Sequence, residues 1–159
     1  MKDGFRLRGH VKWEKTVGGI LVAQSPWIEN QIVANAGRGI YIALDRLAGI
    51  NDYAFNISHA EIGDDDTEPS IADTALGNGL ERVSVGAIER SGLEVQFRFF
   101  FPDATTADDT YEEFGMYTDG AAGLGTGRLF NHLLFGDNPL VKAAGEDNTI
   151  VCKITGSVV

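Results

Sequence analysis

Three histidines and one cysteine carry the most versatile chemistry in this chain. His10, His59 and His132 lie in predicted strands, and none belongs to a motif that nucleophilic catalysis requires. Their spacing also indicates no metal site. Cys152 alternates with isoleucines in another predicted strand, which is typical of a small buried hydrophobic residue. We therefore expect surface or half-buried positions for the histidines and a core position for the cysteine.

Two acidic segments could bind a cation or supply an acid–base pair. Asp64 to Glu68 presents closely spaced carboxylates, the hard oxygen ligands that calcium takes, but it lacks the glycine and glutamate of an EF-hand loop. Asp108-Asp109 and Glu112-Glu113 form the second acidic group. We expect both segments to lie on the solvated surface. Whether Asp64–Asp66 binds a cation is left open by the sequence. A carboxylate-based polysaccharide hydrolase that uses Glu112 and Glu113 is an alternative, although an acidic surface alone explains such residues.

The glycine-rich segments resemble phosphate-binding loops only superficially. Gly120, Gly123, Gly125 and Gly127 lead into Arg128-Leu129, whereas a P-loop ends in lysine followed by serine or threonine and opens a helix. Gly37-Arg38-Gly39 completes no dinucleotide-binding motif either. We expect a flexible hairpin tip at 120–127. The sequence thus predicts no catalytic, cofactor-binding or metal-binding residues, no cofactor, and no enzymatic activity.

Composition and charge narrow the possible partners. The 159 residues include 13 Lys and Arg against 23 Asp and Glu, a formal charge of −10. A chain of this sign is a poor match for nucleic acid or for an anionic membrane surface. One cysteine excludes an intramolecular disulfide. Charged residues interrupt the apolar residues near the N-terminus, so we expect no secretory signal.

Short alternating segments separated by glycine-rich turns predict a mainly β fold. We expect a single domain over 1–159, an antiparallel β-sandwich or jelly-roll-like module with one short helix near the N-terminus. The helix is expected to be capped by Asn35, to bury Ile40, Ala43, Leu44 and Leu47, and to stop at Gly49. The predicted strands cover residues 5–14, 20–24, 28–34, 55–63, 81–90, 93–101, 111–117, 128–135 and 148–155.

The first strand is the main cationic cluster of an acidic chain. Arg6, Arg8 and Lys12 share one face, and Gly18-Gly19 turns the chain into the next strand. Residues 1–27 are therefore predicted to form an N-terminal hairpin or arm. Because a contrast of charge orients docking, we expect this segment to contact a neighbouring subunit or shell.

Several short motifs, in this order and spacing, resemble a family of small β-rich virion proteins of tailed viruses, described as capsid decoration proteins or as tail-fibre or collar proteins. The resemblance spans roughly residues 28 to 155. The motifs that carry it are Ile32 to Gly37, Leu44 to Leu47, Ile57 to Gly63, Glu68-Pro69, Asp73 to Leu76, Glu81 to Val83, Tyr111 to Tyr117 and Leu129 to Phe135.

The resemblance implies a β-sandwich or jelly-roll-like module that self-associates, often as a homotrimer, without enzymatic activity. It implies a capsid decoration protein of a bacteriophage or other tailed virus, with the major capsid protein and copies of itself as partners and the virion as its location. A tail-fibre, collar or baseplate module that attaches to the host is the alternative. The three aspartates after Gly63 depart from the family pattern and leave open a cation site or adaptation to high salt.

Overall fold

The computed structural model describes residues 4–158, apart from the side chain of Phe5, and contains twelve strands and one helix over that range. The strands are β1 (Phe5–Val17), β2 (Ile20–Gln24), β3 (Ile28–Ile32), β4 (Ile57–Gly63), β5 (Gly79–Ser84), β6 (Ala87–Ser91), β7 (Glu94–Phe101), β8 (Thr110–Tyr111), β9 (Glu113–Thr118), β10 (Arg128–Leu134), β11 (Leu140–Val141) and β12 (Asp147–Val158). The helix α1 spans Ile40–Leu47. No helix within the described range is long and apolar enough to cross a membrane.

Ten strands form one antiparallel, curled sheet in the order β5-β4-β9-β10-β3-β1-β12-β7-β6, with β2 paired to β1, while β8 and β11 pair separately. The sheet divides into two halves that share β3, which pairs with β1 through residues 28–30 and with β10 through residues 31–32. Because the halves curl towards each other, their inner faces enclose the core. The mainly β, antiparallel, sandwich-like fold with one short helix is thereby confirmed.

Alternating residues of the long strands build this core. Phe97, Phe99 and Phe101 of β7 point inward beside Ile150, Cys152 and Ile154 of β12, as their period of two predicts. The ring centroids of Phe99 and Phe114 lie 6.0 Å apart across the two halves. Each such side chain contributes about 1.5–3 kcal/mol when fully buried. The core therefore holds the two halves in register.

The predicted strand 81–90 is two strands that belong to different halves. It breaks at Val85-Gly86, where the Val85 amide donates to Ser58 of β4 and the next amide, of Gly86, donates to Arg98 of β7. Alternation alone could not show this change of partner. The hairpin between β6 and β7 turns at Gly92-Leu93, one residue later than the turn predicted at Ser91-Gly92, because Ser91 pairs with Glu94.

The helix occupies the predicted place with a different cap and buried face. Gly39 precedes it without a side-chain cap, while Asn35 donates instead to the Ala72 carbonyl. Only Ile42 is buried in α1, whereas Leu44 and Leu47 are 53% and 84% exposed, so the expected apolar stripe is wrong. Two turns are too short to cover a sheet face. Backbone contacts, such as Gly39 N–H to the Leu129 carbonyl, attach the segment instead.

Candidate docking surface

The outer face of β1 displays the predicted cationic residues. Arg6, Arg8, His10 and Lys12 alternate with inward residues, and the strand pairs with β12 along its length. His10 stands opposite Lys153 in that pairing, which adds a cation from a distant part of the chain. We call the surface formed by Arg6, Arg8, Lys12 and Lys153, with the His10 ring between them, the cationic face.

Trp27 lies over this face and contacts two of its cations. The Nζ atoms of Lys12 and Lys153 are 5.2 Å and 4.5 Å from the centroid of the Trp27 ring. The attraction of an ammonium to an aromatic face contributes about 0.5–1 kcal/mol at exposed sites. Trp27 remains 41% exposed, beside a depression of about 480 Å³. The indole therefore gathers two ammonium groups at one point of the surface.

The cations of this face differ in how far they are neutralised. Lys12 Nζ lies 2.8 Å from the Glu14 carboxylate, and Lys153 Nζ lies 3.9 Å from that of Glu94. Arg6 and Arg8 are exposed, and no carboxylate among residues 4–158 with described side chains lies within 4.0 Å of either guanidinium. As far as residues 4–158 are concerned, two guanidinium groups are thus available for a carboxylate of another molecule, since this group matches carboxylates in geometry.

A second cleft, of about 600 Å³, extends from the two arginines along the line where β3 leaves β1 for β10. Arg6 and Arg8 border it on one side, and Glu29 and Glu68 also line it. Charges of both signs therefore face this cleft, whereas the depression beside Trp27 is lined by two cations (Arg8 and Lys153), the His10 imidazole, two hydroxyls and the indole. The latter is the better match for an acidic partner.

The residues singled out for their chemistry mostly stabilise the fold, and His132 is the clearest case. Its ring is buried, with Nδ1 2.7 Å from Asp73 and Nε2 2.8 Å from Glu113. Burial alone would lower the pKa of His132, but the hydrogen bonds to the two carboxylates outweigh it and the pKa is raised. The half-buried histidine expected from the sequence is therefore a buried one held between two acids.

Glu113 is fully buried, contrary to the expectation of a solvated acidic group. Its carboxylate accepts hydrogen bonds from the amides of Gly77 and Asn78, at 2.9 Å and 2.7 Å, as well as from His132. These bonds attach the 64–78 loop to the sheet. A carboxylate with three donors is a structural anchor, so we expect no catalytic role for it.

The glycine-rich loop at 119–127 is anchored rather than a simple hairpin tip. Arg82 donates from Nε to the Ala121 carbonyl, at 2.7 Å, and from Nη2 to that of Thr126, at 2.6 Å. Its other amine pairs with Glu61, which also accepts from the Gly125 amide and the Tyr117 hydroxyl. Both charged side chains are 2% exposed. The buried Arg82–Glu61 pair therefore holds the backbone of the loop against the sheet.

His59 and His10 differ from His132 in having no carboxylate partner among the described residues. Burial and the nearby Arg82 guanidinium lower the pKa of His59, whose Nδ1 lies 3.1 Å from the Ser58 hydroxyl. His10 lies on the cationic face, half-buried. The expectation of surface or half-buried positions is confirmed for these two.

The acidic loop after β4 is largely exposed, with its carboxylates engaged in local turns. Hydrogen bonds from the Thr67 hydroxyl and then from its backbone amide, at 2.7 Å, lower the pKa of Asp65. Asp64 accepts from the Asn78 side chain at 2.6 Å. No group of three or more His, Cys, Asp or Glu side chains is arranged to hold a metal within the described part of the chain. The loop therefore provides no preformed cation site.

Cys152 is buried as predicted, and the side-chain amide of Asn131 donates to its Sγ at 3.6 Å.

Sequence reasoning missed the contributions of Lys153 and Trp27 to the cationic face, because only strand pairing places them beside β1. Comparison with protein-family models, curated proteins and solved structures found no match for this chain. Functional inference therefore depends on the residues described above.

Proposed function

We propose that this protein is a virion structural protein, a capsid decoration protein that binds and stabilises the shell of a tailed virus. The observation that carries the proposal is the cationic face with Trp27 on a chain whose formal charge is −10. The exposed guanidinium groups of Arg6 and Arg8, held on a rigid sheet, orient docking onto an acidic surface. In this proposal the major capsid protein supplies that surface and the protein resides in the virion.

The rigid scaffold supports a structural role without chemistry. Buried acids with described side chains, such as Glu61 and Glu113, are occupied by donors that attach loops to the sheet. The cationic face is part of a strand paired from Phe5 to Thr16, so it is held as a fixed surface. A fixed surface limits the entropy lost on docking, which favours repeated binding to identical shell subunits.

Self-association is a further part of the proposal, in the form of a homotrimer. Three such copies would carry a formal charge of −30, three times the −10 of one chain. Like charges repel, and salt screens the repulsion over about 10 Å at 0.1 M. We therefore expect the assembly to strengthen as salt is added, whereas docking of the cationic face on an acidic shell weakens.

Neutralising the two available guanidinium groups tests the docking surface. The double variant Arg6→Gln/Arg8→Gln should bind purified shells more weakly and with less dependence on salt than the unaltered protein. The matched control is Arg90→Gln, an exposed arginine of β6 outside the cationic face. Equal binding by the double variant and the control would overturn this docking surface. Both variants change exposed side chains, so the fold should persist.

A tail-fibre, collar or baseplate module that attaches to the host is the second candidate, and the exposed Trp27 favours it. Receptor-binding surfaces commonly display aromatic residues, and this indole is 41% exposed between β2 and β3. Quantitative mass spectrometry of purified particles separates the two locations. Hundreds of copies support decoration, a few to a few tens support the tail, and absence from particles overturns both.

A further inference from the structure

The β1–β2 hairpin exposes an aliphatic cluster at one end of the sheet. Val17, Ile20, Leu21 and Val22 are 44%, 71%, 51% and 54% exposed, and no charged residue occurs from Thr16 to Ile28. β2 pairs with β1 and with no other strand of the described chain. Exposed apolar edge strands are sites of association. We call these four side chains the hairpin knob.

An apolar cavity of about 320 Å³ opens between the two halves of the curled sheet. Its volume is at the lower end of the roughly 300–1,000 Å³ of ligand pockets, enough for a few aliphatic side chains. Asn56 supplies the one polar side chain of its lining. We call this space the end cavity; the seven apolar residues that line it are Phe55, Ile57, Ile88, Val95, Phe97, Phe130 and Ile154.

The hairpin knob and the end cavity are separated along the sheet, so a chain cannot fill its own cavity with its own hairpin. The knob adjoins the start of β12, where Thr16 pairs with Asp147. Ile154, in the cavity lining, lies seven residues further along β12, a distance of about 23 Å at 3.3 Å per residue. The hairpin of a chain therefore cannot reach the cavity of that chain, and only the hairpin of another copy can enter it.

We propose that the hairpin knob of one copy inserts into the end cavity of a second copy, head to tail. An uncharged apolar knob matches an uncharged apolar cavity, and contact through uncharged surfaces is the least opposed when both copies carry −10. Such an interface uses different patches on the two partners, so it closes into a ring or continues as a filament. The inference deepens the self-association included in the proposed function.

Each contact involves only a few aliphatic side chains. The area that it buries is therefore smaller than the roughly 800 Å² per partner of a standard interface. A single contact is therefore weak, and association should depend on protein concentration and increase with salt. Sedimentation velocity on the whole protein up to about 1 mM should show species larger than the monomer, in proportions that rise with concentration. A protein that stays monomeric throughout would overturn the inference.

Two charged variants disable the two patches separately. Leu21→Asp in the knob and Ile88→Asp in the cavity lining should each weaken association at least about tenfold. Ile88 is 52% exposed and Leu21 is 51% exposed, so neither change places a charge in the core. Leu47→Asp, an 84% exposed leucine of α1, is the matched control and should associate normally. An effect of Leu21→Asp alone would indicate edge-to-edge pairing of β2, and an effect of Ile88→Asp alone a different occupant; both overturn the inference.

Mixing the two variants gives the sharpest result. The Leu21→Asp chain keeps an intact cavity and the Ile88→Asp chain keeps an intact knob, so the mixture should form a one-to-one dimer that grows no further. A mixture that stays monomeric contradicts head-to-tail insertion. Shell binding is measured separately with the Arg6→Gln/Arg8→Gln variant, which should still self-associate. Failure of self-association and failure of shell docking are thus distinguishable.

Discussion

The Nε2 atom of His132 lies 2.8 Å from a carboxylate oxygen of Glu113, inside the protein. The other ring nitrogen lies 2.7 Å from Asp73, so the imidazole faces an acid on each side. A ring that donates from both nitrogens is an imidazolium. The 64–78 loop, which contains Asp73, is therefore held to the sheet by a charge that depends on pH.

Protonation of His132 should make stability fall as the solution becomes alkaline. The pKa of His132 is raised above its ordinary 6.5 in the folded protein, so its stabilisation is fully present below pH 6.5 and is lost as pH rises through the folded pKa. Urea unfolding from pH 6 to 9 measures this, as the difference between the unaltered protein and His132→Gln. That difference should shrink with rising pH. A constant difference would show that folding does not raise the pKa of His132.

Replacement of Arg82 by methionine should destabilise the protein by about 3–5 kcal/mol, because it leaves the buried Glu61 carboxylate without its cation. It also removes two donors to the 119–127 loop. Urea unfolding measures the stability, and hydrogen exchange of the loop amides measures its opening. Arg90→Met, at an exposed site, is the control and should change little. Similar unfolding midpoints for the two variants would contradict a role for the buried pair.

A methyl group at Gly9 should destabilise the fold by about 1–3 kcal/mol, because a Cβ there would overlap the buried side-chain amide of Asn30 on the neighbouring strand. The test is the double variant Gly9→Ala/Asn30→Ala, in which the shortened side chain leaves room for the methyl group. Thermal unfolding should show that the second change restores part of the stability lost in Gly9→Ala. If the two losses simply add, the close approach does not explain the glycine.

The Cys152 thiol should be unreactive in the native protein. It is buried, and burial raises its pKa, so the thiolate that attacks disulfide reagents is scarce and inaccessible. Labelling with an aromatic disulfide reagent should be slow in buffer and complete in concentrated urea. Across intermediate urea concentrations, the labelled fraction should follow the unfolding transition. Fast labelling of the folded protein would show that the strand bearing Cys152 opens locally.

The alternation of apolar residues was sufficient to predict the sheet but not its pairings. Val95, Phe97 and Phe99 repeat every second residue, which is the period of a strand with one buried face. The same regularity continued through residues 81–90, where the chain passes from one half to the other. Alternation records which face is buried and carries no information about which strand lies beside it.

The sequence pattern likewise predicted the position of α1 but not its buried face. Ile40 to Leu47 was recognisable as a helix that ends before Gly49, but its apolar stripe is mostly exposed. Periodicity identifies an apolar side of a helix and not whether anything packs there. Such packing depends on the helix length and on the loops that attach it, which are set by distant strands.

The sequence by itself determined the β class, the two-residue turn at Gly18-Gly19, the cationic side of β1 and the burial of Cys152, because each depends on residues adjacent in the chain. Only the tertiary structure decided which distant side chains come into contact. It placed His132 between Asp73 and Glu113, and Trp27 between Lys12 and Lys153, residues separated by as many as 126 positions, from 27 to 153. Pairing across the sheet creates these contacts, and no local pattern in the chain specifies it.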